Sequence, residues 1–201
     1  MKRKVIALVL FLFVFAVSYA QQHIKFNGAT FGTTVENFIL GFPEKPYIVK
    51  SVNRHIFNPE LSNGYEGFVK INSDNWKCFI LASRISNTVY RTVSINSYTD
   101  LENGLMLLVK TLENKYGGAI QEKQEKLGVI KSESYDKGNR EMLALYYYVK
   151  DYNNKTIGEI RISAAPSNKE ATSGWIELSY TDYRSRDLAR KEYENIMNNA
   201  L

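Results

Sequence analysis

Apolar residues are distributed along this chain in three ways: one unbroken run, several short alternating runs and three stripes at helical spacing. The unbroken run comes first. From Val5 to Val17 every residue is apolar, thirteen in succession. Lys2, Arg3 and Lys4 precede it, and Ser18-Tyr19-Ala20 follows with small side chains at 18 and 20. A positive start, a short apolar core and a small-x-small exit make residues 1–20 a cleavable secretory signal peptide, cut between Ala20 and Gln21. Spanning the hydrocarbon of a bilayer needs ~20 apolar residues, and this run falls short. No Cys follows the small residue, which excludes lipid attachment at a mature N-terminal Cys. The expectation is a periplasmic or secreted chain with no membrane insertion after cleavage.

Beyond the signal the pattern changes repeatedly. His23-Ile24-Lys25-Phe26 alternates and stops at Asn27-Gly28, a turn pair. Thr33-Thr34-Val35-Glu36 reads as a capping box opening a short helix with Val35, Phe38 and Ile39 on one face. Gly41 ends it and Pro43 prevents its return. β-branched and aromatic runs follow over residues 46–57, Tyr65–Ile71, Trp76–Ala82 and Val89–Ile95, separated by Asn, Asp, Ser and Gly, which is hairpin chemistry. Thr99-Asp100-Leu101-Glu102 is a second capping box. Leu101, Leu105, Leu108, Leu112 and Tyr116 then recur at helical spacing up to Gly117. Gln121 to Lys126 is a polar stretch, with a strand at Val129-Ile130. Further strands are expected at Met142–Val149, Thr156–Ala164 and Trp175–Thr181. A last helix starts near Ser185 and carries Leu188, Tyr193, Ile196 and Met197 on a charged surface.

The order helix, four strands, helix, four strands, helix predicts an α+β fold. It is read as two tandem repeats, each a helix and a roughly four-stranded antiparallel sheet, with a C-terminal helix, all helices lying on one side. The organisation is a signal at 1–20 and a single domain at 21–201, with repeats at about 21–98 and 99–201. The segments Ile24-Lys25-Phe26-Asn27-Gly28, Thr33 to Phe38 and Trp175-Ile176-Glu177-Leu178-Ser179-Tyr180-Thr181-Asp182 resemble exported proteins of Bacteroides-type bacteria. The helix-plus-sheet repeat is similar in fold to the beta-lactamase inhibitory protein and to small outer-membrane assembly lipoproteins. This resemblance covers most of residues 23–182, implies a fold, and carries across no catalytic residue. The lipid-acceptor Cys of the assembly lipoproteins is missing here.

Charge and chemistry narrow the picture. The net charge is +5, but three basic residues lie in the signal, leaving the remaining chain near +2. Lys and Arg are scattered, and the densest cluster, Arg184 to Lys191, is interrupted by Asp187, so no basic stripe for nucleic acid is present. The single cysteine, Cys78, reads as a small buried hydrophobe in a strand. The two histidines, His23 and His55, lie in different segments, each without a second ligand at a metal spacing. Each reads as a surface or hydrogen-bonded residue. No nucleophile elbow, zinc-binding helix or phosphate loop occurs. Asp151-Tyr152-Asn153-Asn154-Lys155 begins like a calcium loop but lacks its glycine and terminal Glu, and reads as a turn. The expectation is a non-enzyme with no catalytic residue, no cofactor and no metal.

Strand alternation sorts the side chains into two faces. Leu143, Leu145, Tyr147 and Val149, with Ile160, Ile162, Ala164, Ile176, Leu178 and Tyr180, should pack under the helices. Tyr146, Tyr148, Glu159, Arg161, Trp175 and Glu177 form the opposite face, which Phe79, Leu81 and Tyr90 continue in the first half. Aromatics mixed with charges suit an open sheet face that holds a protein or peptide. The candidate partner-binding residues are Tyr90, Tyr146, Tyr148, Arg161 and Trp175. Glycan binding by the same aromatics, and a scaffolding role in envelope assembly, are the alternatives.

Overall fold

The computed structural model describes residues 23–51, 62–116, 120–131, 139–167 and 172–199. The signal segment and His55 lie outside them. The fold is α+β, with antiparallel strands throughout. Strands β1 (Lys25–Phe26) and β2 (Ala29–Thr30) form a small hairpin, and helix α1 (Val35–Leu40) follows. Asn27 (φ 47°) and Gly28 (φ 90°) supply the two positive angles that a tight hairpin turn requires. Next come β3 (Tyr47–Ser51), β4 (Ser62–Ile71), β5 (Asp74–Ser83) and β6 (Val89–Tyr98), then helix α2 (Leu101–Tyr116). Strands β7 (Ile120–Lys131), β8 (Asn139–Lys150), β9 (Thr156–Pro166) and β10 (Gly174–Asp182) lead into helix α3 (Tyr183–Asn199).

The strand order is β3-β4-β5-β6-β10-β9-β8-β7, so among the described residues the two expected four-strand runs lie side by side in one sheet. The join is between β6 and β10, paired from Tyr98–Gly174 to Arg91–Thr181. Hydrophobic alternation fixes which face a strand buries, but not which strand lies beside it.

One face carries the main core. Trp76, Ile80, Tyr147, Ile160, Ile162 and Ile176 are each at most 1 % exposed, and α1, α2 and the β1–β2 hairpin cover them. On α2, Leu108 and Leu112 are buried, while Leu101 and Leu105 pack at the margin. Cys78 is fully buried, and burial pushes its thiol up to about 12 against a weaker opposing hydrogen bond from Ser94. It stays neutral and fills space as a small apolar side chain.

The other face is not open across its centre. Helix α3 lies on it, with Ala189 packed among Phe79, Leu81, Tyr90 and Val93. The helices therefore flank the sheet on both sides, which corrects the one-sided arrangement. The side chains of α3 that face the sheet, Ser185 and Ala189, are small and four residues apart, so the helix backbone comes close. Leu188, Ile196 and Met197 stay 42–49 % exposed.

Both capping boxes shift by one residue. Thr34 takes the N-cap position of α1 without a side-chain cap, and the Thr33 hydroxyl donates to the Thr30 carbonyl instead. At α2 the Asp100 carboxylate accepts from the Asn103 N–H at 3.0 Å. The Asp151 segment is a turn, closed by Asp151 Oδ1 accepting from the N–H groups of Asn153 and Lys155.

Candidate functional site

Strand register brings three of the five candidate residues together. Tyr146 stands opposite Arg161, which stands opposite Ser179 on β10. One pleat further, Tyr148 stands opposite Glu159, then Thr181, then Arg91 on β6. These side chains share the face that carries α3, beside the helix start. Trp175 is on the same face, but four residues from Ser179 along β10, or about 13 Å at strand spacing. Tyr148 and Trp175 are thus about 20 Å apart along the strands.

Tyr90 is different. It is only 6 % exposed, under α3, with its hydroxyl hydrogen-bonded to that of Ser62. The register between β5 and β6 shifts at Leu81/Ala82, where Leu81 pairs with Arg91 and Ala82 with Val89. Tyr90 is the extra residue of this bulge. Phe79 and Leu81 are 3 % exposed and covered by the same helix. These three residues are core and leave the candidate surface.

Beside the helix start the polar groups are arranged unequally. The Tyr183 hydroxyl donates to Glu159 Oε2 at 2.8 Å. Burial first, then this carboxylate, push the phenol up, so it stays neutral. The Arg186 guanidinium lies over the Tyr183 ring at 4.3 Å, and that of Arg161 over the Tyr146 ring at 5.7 Å. Glu159 therefore answers a phenol rather than a guanidinium. The Nε groups of Arg91 and Arg161 and the hydroxyl of Ser163 are buried without a hydrogen-bond partner among the described residues. Arg91 was not apparent from sequence because the bulge before it breaks the alternation.

A second polar cluster lies at the β10–α3 junction itself. Asp182, fully buried, accepts from Ser185 N (2.8 Å), Ser185 Oγ (2.7 Å) and Ile24 N (3.1 Å), and contacts His23 Nδ1 at 3.0 Å. Burial acts to raise this carboxyl, but the hydrogen bonds from His23 and Ser185 outweigh it and hold the group below the usual carboxylate range. A cavity of about 350 Å³ adjoins, lined by His23, Thr88, Arg184, Ser185 and Lys191 among others.

Serine, histidine and aspartate together invite a catalytic reading, and the geometry opposes it. A nucleophilic serine sits on the imidazole nitrogen remote from the carboxylate. Here Ser185 Oγ lies 3.4 Å from Nδ1, the nitrogen that faces Asp182, and donates to Asp182 itself. The cluster is a helix N-cap that also ties down the N-terminal segment. The signal for it was Asp182-x-x-Ser185, a capping pattern at the β10–α3 junction.

Among the described residues, no group of three or more His, Cys, Asp or Glu is placed to hold a metal ion, and no helix is long and apolar enough to cross a membrane. No family model matches the chain, and no curated protein or solved structure matches it either.

Proposed function

We propose that this chain is an exported, non-enzymatic binding module that holds a protein or peptide partner on the sheet face beside α3. One observation carries the reading. Tyr146, Tyr148, Arg161 and Trp175 stay half-buried on one face, beside the area α3 covers and spread over about 20 Å. Tyr, Trp and Arg bury much area while keeping a polar end, and they dominate binding energy where they occur in interfaces. A protein interface of roughly 800 Å² a side spans such a distance.

A glycan fits less well. Sugars stack on open ring faces, and here a guanidinium lies over Tyr146 and another over Tyr183. Export rests on residues 1–20, and cleavage after Ala20 makes His23 the third residue of the mature chain. The reading of two tandem helix-and-sheet repeats is supported by strand order: each four-strand run follows a helix, and the two runs meet through their last strands.

The test is capture from envelope extracts by the chain beginning at Gln21, compared with its Tyr148→Ala/Trp175→Ala variant. The variant is expected to melt within a few degrees of wild type, because neither side chain is core, and to lose the captured partner. Truncating an anchor costs roughly 2 kcal/mol or more of binding. Unfolding of the variant would make these residues structural, and unaltered capture would move the site elsewhere.

A further inference from the structure

We infer that the cavity at the β10–α3 junction is a site for a small organic acid, whose carboxylate is received by His23 Nε2 and Lys191 Nζ. The cavity shares no residue with the sheet face proposed for the partner and does not depend on that reading. The imidazole of His23 is fixed on two sides. Nδ1 faces Asp182 Oδ1 at 3.0 Å, and an ionised carboxylate only accepts, so Nδ1 carries a hydrogen. The ring lies against Gly32, where a methyl group would come within 2.7 Å of Cε1, Nδ1 and Nε2. The φ of Gly32 is 77°, so backbone and space both favour glycine under the ring. Nε2 is left over. It makes no hydrogen bond among the described residues, and the side chain stays 18 % exposed.

The cavity follows one stripe of α3, since Arg184, Leu188 and Lys191 line it at i, i+4 and i+7, about 10 Å from first to last. Most of its polar groups are already answered. Arg184 pairs with Asp151 at 3.0 Å, and Asp187 with Arg186 at 3.1 Å. The Thr88 hydroxyl accepts from that of Ser86, and the Ser185 hydroxyl donates to Asp182. Lys191 is exposed and makes no ion pair or hydrogen bond among the described residues. Two accessible nitrogens therefore remain. An ammonium can only donate, and protonation of the imidazole puts its second N–H on Nε2. A carboxylate offers one oxygen to each, in charge-assisted hydrogen bonds. Leu188, 45 % exposed, gives the cavity an apolar wall for the body of the acid. An apolar cavity of about 150 Å³ takes benzene, so the larger volume here has room for a ring and its carboxylate.

NMR titration of the isotope-labelled chain from Gln21 tests this, with benzoate and with benzamide, its neutral isostere. In mildly acidic buffer benzoate is expected to bind at least about tenfold more tightly, the worth of one charged hydrogen bond. It should shift the Nε2 resonance of His23 and the methyl resonances of Leu188. Lys191→Gln should remove most of the preference and leave the melting temperature unchanged, because an exposed side chain without a partner contributes little to folding. The charged groups around the ring are Asp182 at Nδ1 and, along α3, Arg184, Asp187 and Lys191. An imidazole is the side chain that loses its charge between about pH 5 and about pH 8, so the preference should fall as pH rises through that interval. Equal affinities, no binding of benzoate at millimolar concentration, or a preference indifferent to Lys191→Gln or to pH overturns the inference. So does tighter binding of inorganic phosphate than of benzoate, which makes the site one for inorganic anions. Tyr148→Ala/Trp175→Ala should bind benzoate as wild type does, whatever becomes of its partner; loss of benzoate in that folded variant would move the site to the sheet face and overturn this one.

Discussion

Replacing Asp182 with alanine is expected to destabilise the fold by about 3–5 kcal/mol, the range for breaking a buried charged network. Asp182 accepts from the backbone at Ile24 and Ser185 and from the Ser185 hydroxyl, and it contacts His23. Alanine leaves the two N–H groups without an acceptor and removes the N-cap of α3, so the N-terminal segment and the helix loosen together. The acid response follows from the same network. The carboxyl is held below its ordinary range in the folded state, against about 3.9 in an unfolded chain. Its contribution is present above that unfolded value and is lost as pH falls through the folded one. Urea titrations at pH 7 and near pH 2 should therefore show a large gap between wild type and Asp182→Ala at pH 7 that narrows in acid. A gap of the same size at both pH values would mean that the charge of Asp182 contributes nothing.

Trp76→Ala is expected to cost about 3–5 kcal/mol, the usual range for removing a fully buried aromatic. Trp76 is 1 % exposed on the core face, opposite Val69, with its ring edge-on to Tyr98 at 6.0 Å. Its indole N–H, however, has no hydrogen-bond partner among the described residues. Trp76→Phe keeps an aromatic ring there and deletes the unsatisfied donor, so its cost should stay below ~2 kcal/mol. Denaturant midpoints of the two variants check this, and equal losses would show that the N–H is satisfied in the folded chain.

The faces of β8, β9 and β10 were legible because their alternation is uninterrupted: Leu145, Tyr147, Ile160, Ile162, Ile176 and Leu178 are all buried as expected. Three features were not. Strand β7 covers the stretch Gln121 to Lys126, which reads as polar because an edge strand carries charges that discourage pairing with other chains. Helix α3 gave no sign that it covers the second face, since it docks through Ser185 and Ala189 instead of an apolar stripe. Tyr90 fell to a bulge, where one extra residue breaks the period of two. Of the candidate surface, Tyr146, Tyr148 and Arg161 were grouped correctly from alternation alone. The separation of Trp175, and the presence of Arg91, depend on the pairing of β10 with β9 and β6. The contact between His23 and Asp182 joins residues 159 positions apart and leaves no local trace.

Oxidative footprinting of tyrosine and tryptophan, with and without the captured partner, tests the binding face most directly. Tyr148 and Trp175 are expected to lose most of their reactivity on binding. Tyr47, 76 % exposed on the edge strand β3, four strands from that of Trp175 and six from that of Tyr148, should keep its own. Unchanged oxidation of Tyr148 and Trp175 in the bound state would contradict the account.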